Sequence, residues 1–255
     1  MIRENLKRLS GILKNKSEKE LTFDNLLYYL QAFYTLNKNA ALLEVGVGDQ
    51  GFANLYKNKV GRYIGLDVMD YSKYYEDIDF IVYDGLEIPI KNNSVDVVVS
   101  HSVLEHVSDI AKVMAEINRV LKVRGVAYLT INPLYFSSWG SHLTLDDCTT
   151  KVDNWQHIDP SFEHYLTDDP MALRYSATIS RSAQKTKCHS VNKLTVSEFL
   201  KQVGLLPWPI IRFDRYLEGK PIPDFLKASE FLYIDLIVNE FRFIGQKLCD
   251  IPLYK

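Results

Sequence analysis

The segment Glu44-Val45-Gly46-Val47-Gly48-Asp49-Gln50-Gly51 follows an apolar run and opens an amphipathic one. Glycines at that spacing let the chain turn sharply and let a ligand approach the main chain closely. The same G-x-G-x-x-G spacing serves dinucleotide enzymes, and a glycine-rich turn without any cofactor also fits it. Glu44 helps to separate these readings. A pyrophosphate beside a carboxylate would be repelled, whereas a ligand carrying an ammonium group would be favoured. Two further carboxylates follow. Asp67 ends Ile64-Gly65-Leu66-Asp67, where it can accept hydrogen bonds from both hydroxyls of a ribose or cap a helix. Asp84, in Tyr83-Asp84-Gly85-Leu86, can accept from an adenine amino group or serve as a solvated turn residue.

Histidine suits a base near neutral pH, because the unperturbed imidazole titrates near 6.5, and five of the six histidines are candidates. They are His101, His106, His142, His157 and His164. His106 stands at a helix start, which points to a structural role. His142 ranks first as a base and His101 next, with a hydrogen-bonded structural histidine as the alternative for each. Glu105, His106 and Asp109 could suggest a divalent metal, but acids at a helix start explain them more simply, so no metal is expected.

These residues need strands to carry them. Ala41–Val47 reads as a buried strand, Gly51–Lys59 as a helix, and Tyr63–Asp67 and Phe80–Tyr83 as two more strands. Val95–Ser100 is nearly all β-branched, as a strand covered on both faces should be. Asp109–Lys122 is a helix with Ile110, Val113, Ile117, Val120 and Leu121 on one face. Gly125–Ile131 is the fifth strand. The alternation implies parallel strands with right-handed crossovers. Ahead of it, apolar spacing over Ile2–Leu36 predicts two capping helices. After it, Asn132–Val191 shows no clear period, and its aromatic residues argue against simple disorder. A helix over Thr195–Val203 opens with a Thr195-x-x-Glu198 capping box. Ile210–Phe213 reads as a strand, Asp224–Ile234 as a helix, and Ile237–Gln246 as the last strand.

The core resembles a known family. Asp84-Gly85-Leu86-Glu87-Ile88-Pro89-Ile90, Ser94-Val95-Asp96-Val97-Val98, Ser102-Val103-Leu104-Glu105-His106-Val107, Asn118-Arg119-Val120-Leu121-Lys122 and Gly125 are similar to the class I S-adenosylmethionine (SAM)-dependent methyltransferases that include the ubiquinone/menaquinone C-methyltransferases (methyltransferase type 11). The resemblance covers roughly Leu42–Asn132. Val95 departs from it, since the family more often has phenylalanine there. It implies an α/β, Rossmann-like, doubly wound seven-stranded sheet, mostly parallel with an antiparallel last strand. It implies that SAM is the cofactor and S-adenosylhomocysteine the product. Glu44, Gly46, Gly48 and Gly51 would line the methionine end, Asp67 would hold the ribose, and Asp84, Gly85 and Leu86 would contact the adenine. Ser100 and His101 would lie near the methionyl group and the acceptor.

A fainter resemblance lies beyond the core. Asn132-Pro133-Leu134-Tyr135, Trp139-Gly140-Ser141-His142-Leu143 and Asn192-Lys193-Leu194-Thr195-x-x-Glu198-Phe199 are similar to methyltransferases encoded with bacterial capsule and lipopolysaccharide enzymes. It implies O-methylation of a sugar-related or phosphoryl-linked precursor, including nucleotide-activated ones, in surface polysaccharide synthesis. A small aromatic or quinone-like acceptor is the alternative. An NAD-dependent oxidoreductase or epimerase and a non-catalytic SAM-binding protein are alternatives of other classes. Glu44, Asp84 and the final strand argue against the oxidoreductase, as does the lack of an evident Tyr-x-x-x-Lys pair in the helical regions.

The whole chain bounds these expectations. Its 255 residues and 47% apolar fraction support one domain with a sizeable core. We expect a helical cap over 1–39, a SAM-binding core over 40–131, an insert or acceptor lid over 132–191, and the rest of the core over 192–255. With 30 basic and 32 acidic residues the net charge is −2, which gives no reason to expect a nucleic-acid partner. Three scattered cysteines, Cys148, Cys188 and Cys249, suit a reduced, cytoplasmic protein. No apolar run is long enough to span a bilayer, and the oligomeric state is not legible.

Overall fold

Short β-branched runs separated by turn residues become parallel strands in the computed structural model, which describes residues 28, 30, 34–49, 52–138, 140, 143–145, 186–188, 192–217, 221–227 and 232–250. The first half of the chain builds β1 (Ala41–Val45), α1 (Ala53–Tyr56), β2 (Arg62–Asp67), β3 (Asp79–Val82), β4 (Val95–His101), α2 (Ile110–Val120) and β5 (Leu121–Ile131). Then come β6 (Leu143–Leu145), β7 (Thr186–Cys188), α3 (Val196–Gly204), β8 (Ile210–Leu217), α4 (Asp224–Lys227), α5 (Tyr233–Ile237) and β9 (Val238–Gln246).

Seven strands form one sheet in the order β3-β2-β1-β4-β5-β9-β8. β1 to β5 are parallel to one another, and β9 runs antiparallel to both β5 and β8. This is the expected doubly wound sheet with an antiparallel last strand. The order reverses between β1 and β4, and in open α/β sheets ligands bind outside the carboxyl ends of the strands at such a reversal.

Apolar residues cover both faces of the sheet. On one, Leu43, Ile64, Val98 and Leu129 pack with Val113 and Ile117 of α2 and Phe199 of α3. On the other, Leu42, Val97, Val99 and Tyr128 pack with Ala53 and Tyr56 of α1 and with Leu30. The helices are tied down by caps. Asp109 accepts from Lys112 N at 2.9 Å, and Thr195 Oγ1 accepts from Glu198 N at 3.0 Å. Only this half of the expected capping box is made in the expected way, because the Glu198 carboxylate accepts from Gln202 Nε2.

Other expectations are corrected. The helix after the glycine turn is a single turn rather than Gly51–Lys59. The helix expected over Asp224–Ile234 divides into α4 and α5, so Ile237 ends a helix and β9 begins at Val238. The segment Asn132–Val191, where no period was evident, contains the antiparallel pair β6 and β7. Most of the two N-terminal helices, most of that insert, and Gly51, His142, His157 and His164 lie outside the described residues.

Candidate functional site

The glycine turn leaves the end of β1 with Gly46 at φ +77° and Gly48 at φ +62°, left-handed conformations that favour glycine. Gly46 also sits where no side chain fits, since a Cβ there would lie 2.2 Å from Val103 Cγ2. At Gly48 an added Cβ would meet nothing within 4 Å, so the turn faces open space at that point. The N–H groups of Gly46 and Val47 bond to Leu66 O at 2.8 and 3.0 Å, which fastens the turn to β2.

Asp67, at the end of β2, faces this turn. Its Oδ2 accepts from Gly48 N at 2.8 Å and its Oδ1 from Met69 N at 3.0 Å. Each carboxylate oxygen has a second lone pair for a ligand hydroxyl. Glu44 lies beneath, buried, with Oε1 accepting from Phe52 N at 3.3 Å and Oε2 accepting from Tyr63 OH. Burial, followed by the Glu44 charge, raises the Tyr63 phenol and keeps it a donor. Glu44 thus anchors the start of α1 to β2, a structural role that spacing alone did not reveal.

Asp84 is exposed after β3, and its Oδ1 accepts from Leu86 N and Glu87 N at 2.8 and 2.7 Å. Those two amides hold its carboxyl below the usual range. Gly85 adopts φ +84°, and a Cβ there would come within 3.1 Å of Val68. Leu86 is partly buried against the core.

Ser100 and His101 end β4. Ser100 is buried and donates from Oγ to Val45 O at 3.2 Å, holding the ends of β1 and β4 together. His101 Nε2 lies 3.3 Å from Tyr56 OH, and its ring is 4.5 Å from the Phe52 ring. Burial, and then the Arg242 charge, push its pKa down to about 3, so the imidazole is neutral at physiological pH. The structure therefore brings Glu44, Gly46, Gly48, Asp67, Ser100 and His101 to the carboxyl ends of β1, β2 and β4, with Glu44 and Ser100 buried, and Asp84, Gly85 and Leu86 just past the end of β3.

Some residues at this edge were not anticipated. Tyr75 donates to Gly48 O at 2.8 Å and braces the turn from the loop after β2. Val68 and Met69 follow Asp67 with 55% and 59% exposure, leaving apolar surface beside the carboxylate. Their apolar type directly after a strand-ending acid was the available signal. A pocket of about 500 Å³ is lined by Tyr83, Asp84, Glu87, Glu116 and Arg119. It meets the candidate site only at Asp84, and the Arg119–Glu116 ion pair that walls it is structural. Arg119 also donates to Ile88 O, Ile90 O and Asn92 Oδ1, each at 2.7 Å, so it secures the loop between β3 and β4. Among the described residues no group of three or more His, Cys, Asp or Glu side chains could hold a metal ion. No helix among them is long and apolar enough to cross a membrane.

Residues 43–129 match the methyltransferase domain family of type 11. A protein of Mycolicibacterium smegmatis named as a probable S-adenosylmethionine-dependent methyltransferase is 36% identical over 102 residues, 38% of this chain and 40% of that one. An uncharacterized methyltransferase of Mycobacterium avium is 24% identical over 182 residues, 69% of this chain and 65% of that one. The chain thus spans less than two thirds of the length of either. A SAM-dependent methyltransferase structure from Methanosarcina mazei superposes with a TM-score of 0.54 at 14% identity, covering 87% of this chain and 98% of that one. At that identity the likeness is one of fold.

Proposed function

We infer, from the premise that this chain belongs to the class I SAM-dependent methyltransferases of type 11, that it binds SAM at the carboxyl ends of β1 and β4 and methylates a small-molecule acceptor. The observation that carries this reading is the bond from Gly48 N to Asp67 Oδ2. It joins a glycine turn facing open space to a carboxylate with lone pairs to spare, at the reversal of strand order.

The donor set fits the cofactor. Asp67 would accept from the ribose hydroxyls. Val68 and Met69 would cover the adenine from one side, and Asp84 with Gly85 and Leu86 would contact its edge. Gly46, Gly48 and Gly51 would let the methionine end lie against the main chain, with Glu44 contributing negative potential there. SAM, when bound, supplies a methyl group on a sulfonium centre, activated for displacement.

The remaining task is to align the acceptor and take its proton when the acceptor is a hydroxyl. A histidine held at low pKa keeps a proton poorly, so His101 suits accepting a hydrogen bond from the acceptor better than storing its proton. We assign the base to His142 and the acceptor lid to residues 132–191, because this insert leaves from the carboxyl end of β5. The acceptor we propose is an oxygen of a sugar-related or phosphoryl-linked precursor of surface polysaccharide, methylated in the cytoplasm. The motif at 132–143 and 192–199 supports that choice.

The test is thermal stabilisation by SAM and by NAD, followed by a screen of nucleotide-activated sugars for S-adenosylhomocysteine release. Stabilisation by SAM alone and release with one such acceptor are the expected results. Stabilisation by NAD and not SAM would reject the reading.

A further inference from the structure

Strand pairing places His101, Thr130, Arg242 and Asp214 side by side on β4, β5, β9 and β8. Paired residues on neighbouring strands share a face of the sheet, so His101 and Arg242 stand two strands apart, about 10 Å between Cα atoms at the usual strand spacing. Thr130 lies between them, and its hydroxyl takes no partner among the described residues. The row lies at the carboxyl end of β4 and β5, the edge that carries the candidate site.

Arg242 is held on one side and open on another. Its Nε donates to Glu240 Oε1 at 2.8 Å, and its guanidinium lies 4.5 Å from the centroid of the Tyr216 ring. The side chain is 23% exposed. Among the described residues, none accepts from its two terminal nitrogens. Asp214, its neighbour in the row, is engaged by Arg212 Nε. A stacked guanidinium clamped through Nε has restricted freedom, and its paired terminal N–H groups match the two oxygens of a carboxylate or phosphate.

We propose that Arg242 binds an anionic group, a carboxylate or phosphate oxygen pair, on the methyl acceptor. This rests on the methyltransferase reading and deepens it. The acceptor is then a small acid or phosphorylated molecule whose nucleophilic atom lies near His101 while its anion lies near Arg242. The row puts their separation on the order of 10 Å, two strand spacings. Thr130 supplies a hydroxyl along the way. A neutral quinone or unmodified sugar would leave Arg242 unused.

The test is calorimetry on the full chain saturated with S-adenosylhomocysteine, titrated with inorganic pyrophosphate, malonate and, as a neutral control, glucose. Wild type should bind one of the two anions and not glucose. R242Q should weaken that anion by roughly tenfold or more, the usual effect of losing a charge-assisted hydrogen bond, with S-adenosylhomocysteine affinity unchanged. Preference for pyrophosphate or malonate decides between phosphate and carboxylate. R242K retains the charge without the fork and should bind more weakly than wild type, which keeps the test open if R242Q does not fold. Equal anion affinity in wild type and either folded variant, or no anion binding by wild type, overturns the proposal. Failure of wild type to bind S-adenosylhomocysteine would instead sink the methyltransferase reading.

Discussion

Gly48 donates its backbone N–H to Asp67 Oδ2 at 2.8 Å, so the turn that ends β1 and the carboxylate that ends β2 are positioned by each other. Two residues 19 apart in sequence are thereby joined at the carboxyl ends of neighbouring strands. The turn also depends on the backbone freedom of its glycines, which can be tested separately at each.

Gly46→Ala and Gly48→Ala should behave differently. Both place a side chain in a left-handed conformation, at a cost of about 1–2 kcal/mol. At Gly46 the new Cβ also collides with Val103, so this variant should lose considerably more stability. At Gly48 the Cβ enters open space, so the loss should stay near the conformational cost while SAM affinity falls. Urea unfolding and SAM titration of the two variants check this. Equal stability losses would remove the Val103 contact as the reason for Gly46.

Lys247 tests the scaffold rather than the site. It is buried, its Nζ donates to Asn93 Oδ1, Asn118 O and Leu121 O, each at 2.8 Å, and it pairs with Asp250 Oδ1 at 2.6 Å. Asn118 O lies in the last turn of α2 and Leu121 O just past its end, where backbone acceptors lack partners within the helix. Lys247→Met keeps the bulk and removes these bonds, and should cost about 2–3 kcal/mol, in the range of hydrogen bonds to a charged group. Chemical denaturation measures it, and a loss below about 0.5 kcal/mol would show that water satisfies these carbonyls equally well.

Glu105 gives a pH signature. Its Oε1 accepts from Asn132 N at 3.3 Å, while its buried Oε2 has no partner among the described residues. Burial raises its pKa to about 8 from the usual 4.5, with the backbone bonds opposing and the Glu240 charge adding. The folded state then holds a proton that the unfolded state releases between those values. The associated stability is fully present below pH 4.5 and is lost as pH rises toward 8. Wild type should therefore lose stability relative to Glu105→Gln between pH 5 and pH 8. A constant difference between the two unfolding free energies would show that Glu105 titrates normally.

The fold was legible where one local rule dominated. Val95–Ser100 could only be a strand covered on both faces, and Gly46 and Gly48 could only mark a sharp turn. Thr195 announced the helix it caps. Pairings across long separations left no local trace. β6 and β7 are about forty residues apart in sequence, and nothing in Leu143–Leu145 names Thr186–Cys188 as its partner. Arg242 joins the row of His101 only through the antiparallel register of β9 on β5. Lys247 resembles any surface lysine until four acceptors meet around it. At the site, the glycines and acids stood out by type, whereas Val68, Met69 and Tyr75 are apolar or aromatic residues whose role follows from exposure and contact.

SAM is proposed to bind at the carboxyl ends of β1 and β4 with Asp67 on its ribose. Calorimetric titration of SAM into wild type, Asp67→Asn and Asp67→Ala tests it most directly. Asp67→Asn retains an oxygen for Gly48 N and so controls for the turn itself. Wild type should bind, and Asp67→Ala should bind roughly tenfold or more weakly, for charged hydrogen bonds worth about 1.5–3 kcal/mol. Absence of SAM binding to wild type, or unchanged affinity in a folded Asp67→Ala protein, would exclude Asp67 as the ribose ligand.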